Sequence, residues 1–203
     1  MLDYTLENQL HDEGFELVCG VDEAGRGPLC GPVFAAACIL PDGLVLEGLN
    51  DSKKLTPKKR DKLFDLICEN AIAYCIASAS VEEIDELNIL EADLLAMRRA
   101  IQGLAIKADF ALIDGNIARG FEIPARAVIG GDAKSPSIAA ASILAKVARD
   151  RDCITLDEQY PQYGIAKHKG YGTKQHMDAL RTYGPSPIHR KQFIRFLEKD
   201  ANK

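Results

Sequence analysis

Short apolar runs separated by turn-forming residues predict a series of buried β-strands along the chain. A turn rich in glycine and proline joins the first run to the second, and later runs end at Asp114-Gly115 and at Gly130-Gly131. The predicted strands cover residues 17–21, 33–40, 74–80, 110–113 and 125–129.

Apolar residues at steps of three and four predict helices between these strands. The clearest stripe consists of Leu90, Leu94, Met97, Ile101 and Leu104. An earlier helix is expected to begin at Thr56-Pro57, with threonine as its N-cap and proline in the first helical position. The inner face of that helix would carry Leu63, Leu66 and Ile67.

The second half of the chain predicts two more helices and a loop. An alanine-rich helix covers about residues 138–152, and a polar loop follows at residues 166–172. Thr173 caps the last helix, which ends at Gly184-Pro185. This order of elements predicts one α/β domain over residues 1–203, with a mixed sheet flanked by helices.

Composition and charge restrict the class of protein. The 203 residues carry a net charge of −5, which argues against a sequence-blind DNA-coating protein, since such proteins are basic. The six cysteines form no CxxC pair and most lie in apolar runs, as expected for buried thiols in a reducing compartment. Neither a signal peptide nor an apolar run of membrane-spanning length is evident, so we expect a cytosolic protein that does not contact membranes.

Four acidic residues share one kind of position at or just beyond the end of a predicted strand. They are Asp22, Glu23, Asp114 and Asp132. If the strands are neighbours the carboxylates converge, and converging carboxylates repel one another unless a cation separates them. Taken singly, each acid could be a turn former or an N-cap. Taken together, they favour a site for a hard ion such as Mg²⁺ or Mn²⁺.

Phosphoryl transfer is the chemistry that uses such a site, because two ions about 3.5–4 Å apart can activate water and stabilise the leaving oxygen. After the first pair of acids, Gly25, Arg26 and Gly27 form a segment in which backbone amides can approach a ligand closely. A tight hairpin turn explains the same spacing. We refer to these three residues as turn 25–27.

Basic residues gather in two stretches, residues 50–60 and 167–174. The first contains Lys53. The second contains Lys169 and Tyr171, so that cations surround an aromatic ring between two glycines, a composition suited to phosphates with a base or sugar against the ring. A solvated charged surface is the alternative for both stretches.

Together these motifs resemble the type 2 ribonucleases H of bacteria. The matching segments run in the family's order and comprise residues 20–28, 50–55, 83–89, 113–116, 131–132, 140–147 and 168–171. The resemblance implies a ribonuclease H-like fold with a five-stranded mixed sheet. It also implies a small helical C-terminal part at about residues 172–203, and a hydrolase that acts as an endonuclease on RNA–DNA hybrids and on duplex DNA that contains ribonucleotides. Protein partners are not predicted, and a monomer is the default expectation.

The resemblance also implies a role for each residue of the site. The four carboxylates would bind two Mg²⁺ or Mn²⁺ ions, and cleavage 5′ of a ribonucleotide would leave a 3′-hydroxyl and a 5′-phosphate. Turn 25–27 would read the 2′-hydroxyl, the group that separates RNA from DNA. Tyr171 would pack against the next sugar. Phosphate contacts would come from Ser142 and Lys146 on the alanine-rich helix, with Lys53 and Lys169 as further substrate contacts.

Two other functions fit parts of the pattern. Another nuclease or strand-transfer enzyme of the same superfamily would share the carboxylates but would lack turn 25–27 together with the segment at residues 168–171. A non-catalytic nucleic-acid-binding module would carry the acids as structural residues and would not depend on a divalent metal.

Overall fold

The computed structural model describes residues 2–50, 52 and 55–197. Its centre is a five-stranded mixed sheet with the strand order β3-β2-β1-β4-β5. The first three strands are antiparallel neighbours, whereas β4 runs parallel to β1 and β5 runs parallel to β4. The strands are β1 (Val18–Ala24), β2 (Val33–Ile39), β3 (Ala73–Ala79), β4 (Phe110–Asp114) and β5 (Ala125–Val128).

Seven α-helices surround this sheet within the described residues. They are α1 (Thr5–Asp12), α2 (Pro57–Asn70), α3 (Val81–Leu87), α4 (Ile89–Gln102), α5 (Pro136–Gln159), α6 (Ile165–His168) and α7 (Lys174–Tyr183). The predicted strands and long helices are confirmed, including the Thr56 side chain, which accepts a hydrogen bond from the Lys59 amide at the start of α2.

The sequence-based prediction was incomplete in three helices and wrong in one loop. Helix α1 buries only Glu7 and Leu10, so it lacks an apolar stripe. Helix α3 begins with a capping box formed by Ser80 and Glu83, although Ser80 had been assigned to a strand. The predicted loop at 166–172 contains most of α6, a helix too short to show a period. Helix α5 extends beyond both predicted ends.

Successive side chains of the central strands alternate between two apolar clusters, one on each face of the sheet. Cys19 and Val21 of β1 pack with α4, whereas Ala24 packs in the cluster formed by α2 and α5. Because successive strand residues face opposite sides, Asp22 faces the α5 side of the sheet. The sheet therefore aims the first carboxylate at a single helix.

Helix α5 lies unusually close to β1 at Gly20. A Cβ atom at Gly20 would lie 2.1 Å from the carbonyl carbon of Ser137, so only glycine permits this approach. The contact brings the polar residues of the next turns of α5 to the end of β1.

The chain after α5 packs against the loop that follows β1. Cys30 lies in one apolar cluster with Tyr163, Ile165 and Leu180, and it forms an isolated antiparallel bridge with His189. The apolar cluster of this part also contains Cys153 from the last turns of α5. No helix in the described part of the chain has the length and apolar character needed to cross a membrane.

Candidate active site

The strand register brings the first acids together. Parallel pairing between β1 and β4 places Val21 opposite Ile113, so Asp22 and Asp114 come next on neighbouring strands. Carboxylate oxygens of Asp22, Glu23 and Asp114 lie within 4.8 Å of one another. The expected convergence is present for these three acids. Asp22 and Glu23 lie inside β1 rather than beyond it, because pairing with β2 continues to Ala24.

Asp132 lies beside this group but outside the 4.8 Å set. It is buried in a single 3₁₀ turn, Gly131–Ala133, which follows β5. The amide of Gly131 donates a hydrogen bond of 2.7 Å to Oδ1 of Asp114. This bond links the turn to the end of β4. Asp132, the fourth predicted acid, is thus next in sequence to a residue that contacts the carboxylate cluster.

The three clustered carboxylates repel one another. Burial raises the pKa of Asp22 well above its ordinary value, and the charges of Glu23 and Asp114 raise it further. Hydrogen bonds from the Ser142 hydroxyl and from the Glu23 amide, the latter 2.7 Å long, act in the opposite direction. A bound cation would relieve this repulsion, and an all-oxygen donor set suits a hard divalent ion.

Helix α5 forms one wall of a cleft of about 180 Å³ next to these acids, with Glu23 and turn 25–27 also in its lining. Ser142 is buried at its base, with its oxygen 2.9 Å from that of Ser52. Lys146 lies one turn further along and forms an ion pair of 2.5 Å with Asp150. The structure thus places Ser142 against Asp22 and Lys146 at the wall of the cleft.

Turn 25–27 also lines the cleft and packs against α5. Gly25 has a φ of +106°, and a Cβ atom there would lie 2.2 Å from Nε of Arg149. Arg26 is half exposed, and its Nε lies 3.5 Å from Oδ2 of the buried Asp93. A Cβ atom at Gly27 would come within 3.3 Å of the Tyr171 ring. The turn and the tyrosine are therefore direct neighbours.

The segment that carries Tyr171 is tied to α5. Lys169 has a φ of +53°, and its carbonyl oxygen accepts a hydrogen bond of 2.9 Å from Nη2 of Arg149. The Tyr171 ring is 48% exposed, and the residue lines the cleft. Lys53, the remaining predicted substrate contact, lies outside the described residues.

Sequence reasoning missed several buried polar residues around the site. Asp93 interrupts the apolar stripe of α4, and burial next to Glu23 raises its pKa to about 8 despite the opposing Arg26 charge. Arg149 is 2% exposed behind Gly25. The buried position of Asp93 could have been read from helical periodicity, since it lies three residues after Leu90 and four before Met97. No comparable signal marks Arg149.

Comparisons with known proteins agree on one family. The profile of the Ribonuclease HII family matches residues 19–196. A Ribonuclease HII from Burkholderia thailandensis is 58% identical over 178 residues, which are 88% of this chain and 83% of that protein. Another from Desulfitobacterium hafniense is 57% identical over 187 residues, covering 92% and 72%. The crystal structure of ribonuclease H2 from Pyrococcus horikoshii OT3 has a TM-score of 0.76 at 30% identity, covering 93% of this chain and all of that one.

Proposed function

The chain belongs to the ribonuclease HII family, and from that premise we propose that this endoribonuclease cuts on the 5′ side of ribonucleotides embedded in duplex DNA. It is a metal-dependent ribonuclease H, an enzyme class that hydrolyses the RNA strand of RNA–DNA hybrids. The observation that best supports this proposal is that Glu23, a member of the carboxylate cluster, lines one cleft together with turn 25–27 and Tyr171. Cleavage would leave a 3′-hydroxyl and a 5′-phosphate.

The donor set fits the metal that the proposal requires. Three carboxylates lie within 4.8 Å of one another, and burial together with the charges of Glu23 and Asp114 raises the pKa of Asp22. We propose that Asp22, Glu23, Asp114 and Asp132 hold two Mg²⁺ or Mn²⁺ ions during catalysis. When bound, two such ions would supply activation of the attacking water and stabilisation of the leaving oxygen. No side chain acts as a covalent nucleophile.

The protein groups around the carboxylates orient them. The Ser142 hydroxyl donates a hydrogen bond to Asp22. The Ser142 oxygen lies 2.9 Å from the Ser52 oxygen, so the Ser52 hydroxyl can donate a hydrogen bond to Ser142. The Gly131 amide holds Asp114 from the other side. These bonds fix the carboxylate oxygens before substrate arrives, which reduces the reorganisation needed at the moment of reaction.

Selection of RNA requires a second feature, since phosphates are common to RNA and DNA. Turn 25–27 and Tyr171 meet at the cleft wall, so one can contact the 2′-hydroxyl while the other packs on the next sugar. The Arg190 side chain engages the carbonyl oxygens of Gly25 and Arg26. We therefore expect the backbone N–H groups of the turn to contact the ribose.

Residues outside the carboxylate cluster would contact the rest of the duplex. Ser142 and Lys146 would hold phosphate, Lys53 and Lys169 would be further substrate contacts, and residues 1–203 would act as one catalytic domain. The contacts between Arg190 and the loop after β1 support that unity. A monomeric state and a cytosolic location stay predictions from the sequence.

A single gel experiment tests the function. A labelled DNA duplex with one ribonucleotide is incubated with the protein in Mg²⁺, in Mn²⁺ and in chelator. We expect one cut on the 5′ side of the ribonucleotide in the presence of either ion and none in chelator. Cleavage of an all-DNA duplex, or cleavage at a different bond, would contradict the proposal.

Tyr171→Ala should reduce cleavage of the single-ribonucleotide duplex more than cleavage of a continuous hybrid. The ring would pack on the deoxyribose beyond the ribonucleotide, and every sugar of a continuous RNA strand carries a hydroxyl instead. The measurement is the ratio of kcat/KM on the two duplexes. Tyr74→Ala removes another partly exposed tyrosine and serves as control. An unchanged ratio and unchanged rates would leave Tyr171 as a packing residue only.

Lys146→Ala should lower the salt dependence of binding. A lysine that contacts one phosphate contributes about 0.9 to the slope of log K against log salt. Because Asp150 competes for the ammonium group, the loss should not exceed one phosphate. Binding of a catalytically inactive variant is measured at several salt concentrations, with the exposed Lys107→Ala as control. An identical slope for Lys146→Ala and its parent would remove Lys146 from the interface.

A further inference from the structure

We infer that two consecutive residues, His189 and Arg190, are positioning residues that hold turn 25–27 and Tyr171 at a fixed separation. The inference rests on the proposed function, in which the turn and the tyrosine read the ribonucleotide together. Both side chains are buried, with exposed fractions of 3% and 0%, and neither lines the cleft. Any influence on cleavage must therefore pass through the groups that they hold.

Arg190 organises the turn through its carbonyl oxygens. Nη2 donates to Gly25 at 2.7 Å, Nη1 donates to Arg26 at 3.0 Å and to Pro28 at 2.9 Å, and Nε donates to Gly31 at 2.9 Å. Four carbonyls of one loop thus converge on one planar group. Because the donor directions of a guanidinium are rigid, the oxygens cannot move independently.

His189 reaches Tyr171 through a directed chain of hydrogen bonds. The Ser186 amide donates to Nδ1 of His189 at 3.1 Å, so the proton of the neutral ring must lie on Nε2. That nitrogen lies 3.1 Å from Nε2 of His176, which must accept and therefore carries its own proton on Nδ1. Nδ1 of His176 donates to the Tyr171 carbonyl oxygen at 3.1 Å. Each proton in the chain has only one consistent place.

The neutral state of both rings agrees with their surroundings. Burial, together with the neighbouring His176, lowers the pKa of His189 to about 4. Burial also lowers the pKa of His176. The chain of hydrogen bonds should therefore persist at neutral pH.

Metal binding is the alternative use of this cluster, because donor atoms of Cys30, His176 and His189 lie within 4.8 Å of one another. Burial raises the pKa of the Cys30 thiol to about 12, which disfavours the thiolate that a metal would need. The charges of Arg149 and Arg190 lower this pKa, but they would also repel a cation. The ring nitrogens of the two histidines already have hydrogen-bond partners. The surroundings therefore favour the hydrogen-bond chain over a cation.

The backbone joins the two halves of this arrangement. The Arg190 amide donates to Leu29 at 2.9 Å, and the Gly31 amide donates to Ile188 at 2.9 Å. Leu29 in turn donates from its amide to Gly170 at 2.8 Å. Residues 188–190 thus contact both the loop that continues turn 25–27 and the segment that carries Tyr171, and a shift of either would be transmitted to the other.

His189→Phe tests the inference while keeping a ring of similar size. On the single-ribonucleotide duplex, kcat/KM should fall by about 10- to 100-fold, the loss typical of a reader displaced by about 1 Å. In the proposed function Tyr171 packs on a deoxyribose only in the single-ribonucleotide duplex. Cleavage of a continuous hybrid should therefore fall by less than about threefold, because His189→Phe leaves the carboxylates and the Arg190 contacts to turn 25–27 in place. His189→Gln places an amide donor near the position of Nε2 and should restore most of the activity.

The controls separate positioning from folding and from the proposed function. His11→Phe alters a remote histidine and should leave both rates unchanged. Equal losses on both duplexes, or a glutamine variant as impaired as the phenylalanine variant, would overturn the inference. Failure of the unaltered protein to cut at a single ribonucleotide would instead overturn the proposed function.

Amide hydrogen exchange measures the positioning without any substrate. In His189→Phe and in Arg190→Lys, exchange at residues 25–31 and 169–172 should accelerate while β1 and β4 stay protected. Lysine keeps the charge but cannot bond four carbonyls in fixed directions. Unchanged exchange at both segments in the folded variants would overturn the inference, whatever the activity.

Discussion

Asp22→Asn is expected to reduce cleavage of both RNA–DNA hybrid and single-ribonucleotide duplex by about three orders of magnitude or more, as loss of several kcal/mol of metal-derived stabilisation implies. Asp22 and Asp114 directly follow Val21 and Ile113, which are paired on neighbouring parallel strands. Both acids therefore belong to the same carboxylate cluster. Asp114→Asn should therefore have a similar effect. Initial rates in Mg²⁺ measure the loss.

The same variant offers a second readout in chelator. Removal of one charge from a repelling group should raise the unfolding temperature of Asp22→Asn, because the amide oxygen can still accept the bonds from Glu23 and Ser142. Asp12→Asn, at an exposed position on α1, makes the same chemical change away from the site and should alter neither quantity. Activity of Asp22→Asn within a few-fold of its parent would exclude this carboxylate from the mechanism.

Gly25→Ala is expected to reduce cleavage at ribonucleotides by at least about 100-fold, since small displacements of a reading group have effects of that order. The new Cβ atom would lie 2.2 Å from Nε and 2.6 Å from Cδ of Arg149, whose side chain is buried. Arg149 also holds the Lys169 carbonyl, so its displacement should disturb the segment that leads to Tyr171.

Backbone strain alone should lower stability without lowering activity, and Gly14→Ala measures the effect of strain without a steric contact. Gly14 has a φ of +98°, close to that of Gly25, but a Cβ atom there would meet nothing within 4 Å. Both alanine variants should lose about 1–3 kcal/mol of stability from strain. Only Gly25→Ala should also lose activity, as kcat/KM and thermal melts would measure. Full activity in a folded Gly25→Ala protein would exclude a role for the close contact with Arg149.

Local patterns of sequence predicted the elements that are regular and well signalled. The stripe of α4 and the Thr56-Pro57 start of α2 are examples, because periodicity and capping act within a few residues. The ribonuclease H-like fold suggested by the resemblance is confirmed by the sheet and by the similarity to ribonuclease H2. The polar helix α1 escaped prediction because tertiary contacts rather than an apolar stripe support it.

Some residues of the candidate site could be predicted from local sequence, and others depend on contacts between distant parts of the chain. Asp22 and Asp114 could be placed together because parallel strands align their carboxyl ends. Arg190 could not be placed, because its partners lie about 160 positions earlier in the chain and a lone arginine is ordinarily solvated. The relay through His176 and His189 depends equally on the folding of the C-terminal part against the loop after β1.

Helix α5 can also be regarded as a molecular ruler. Ser142 contacts the carboxylate cluster and Arg149 supports Gly25, and seven residues of one rigid helix separate them, a rise of about 10 Å. In the proposed function, this length would separate the residue that contacts the metal-binding carboxylates from the residue that supports the ribose-reading turn. Insertion of one residue between Ser142 and Arg149 should therefore rotate Arg149 by about 100° away from Gly25 and remove the support of turn 25–27.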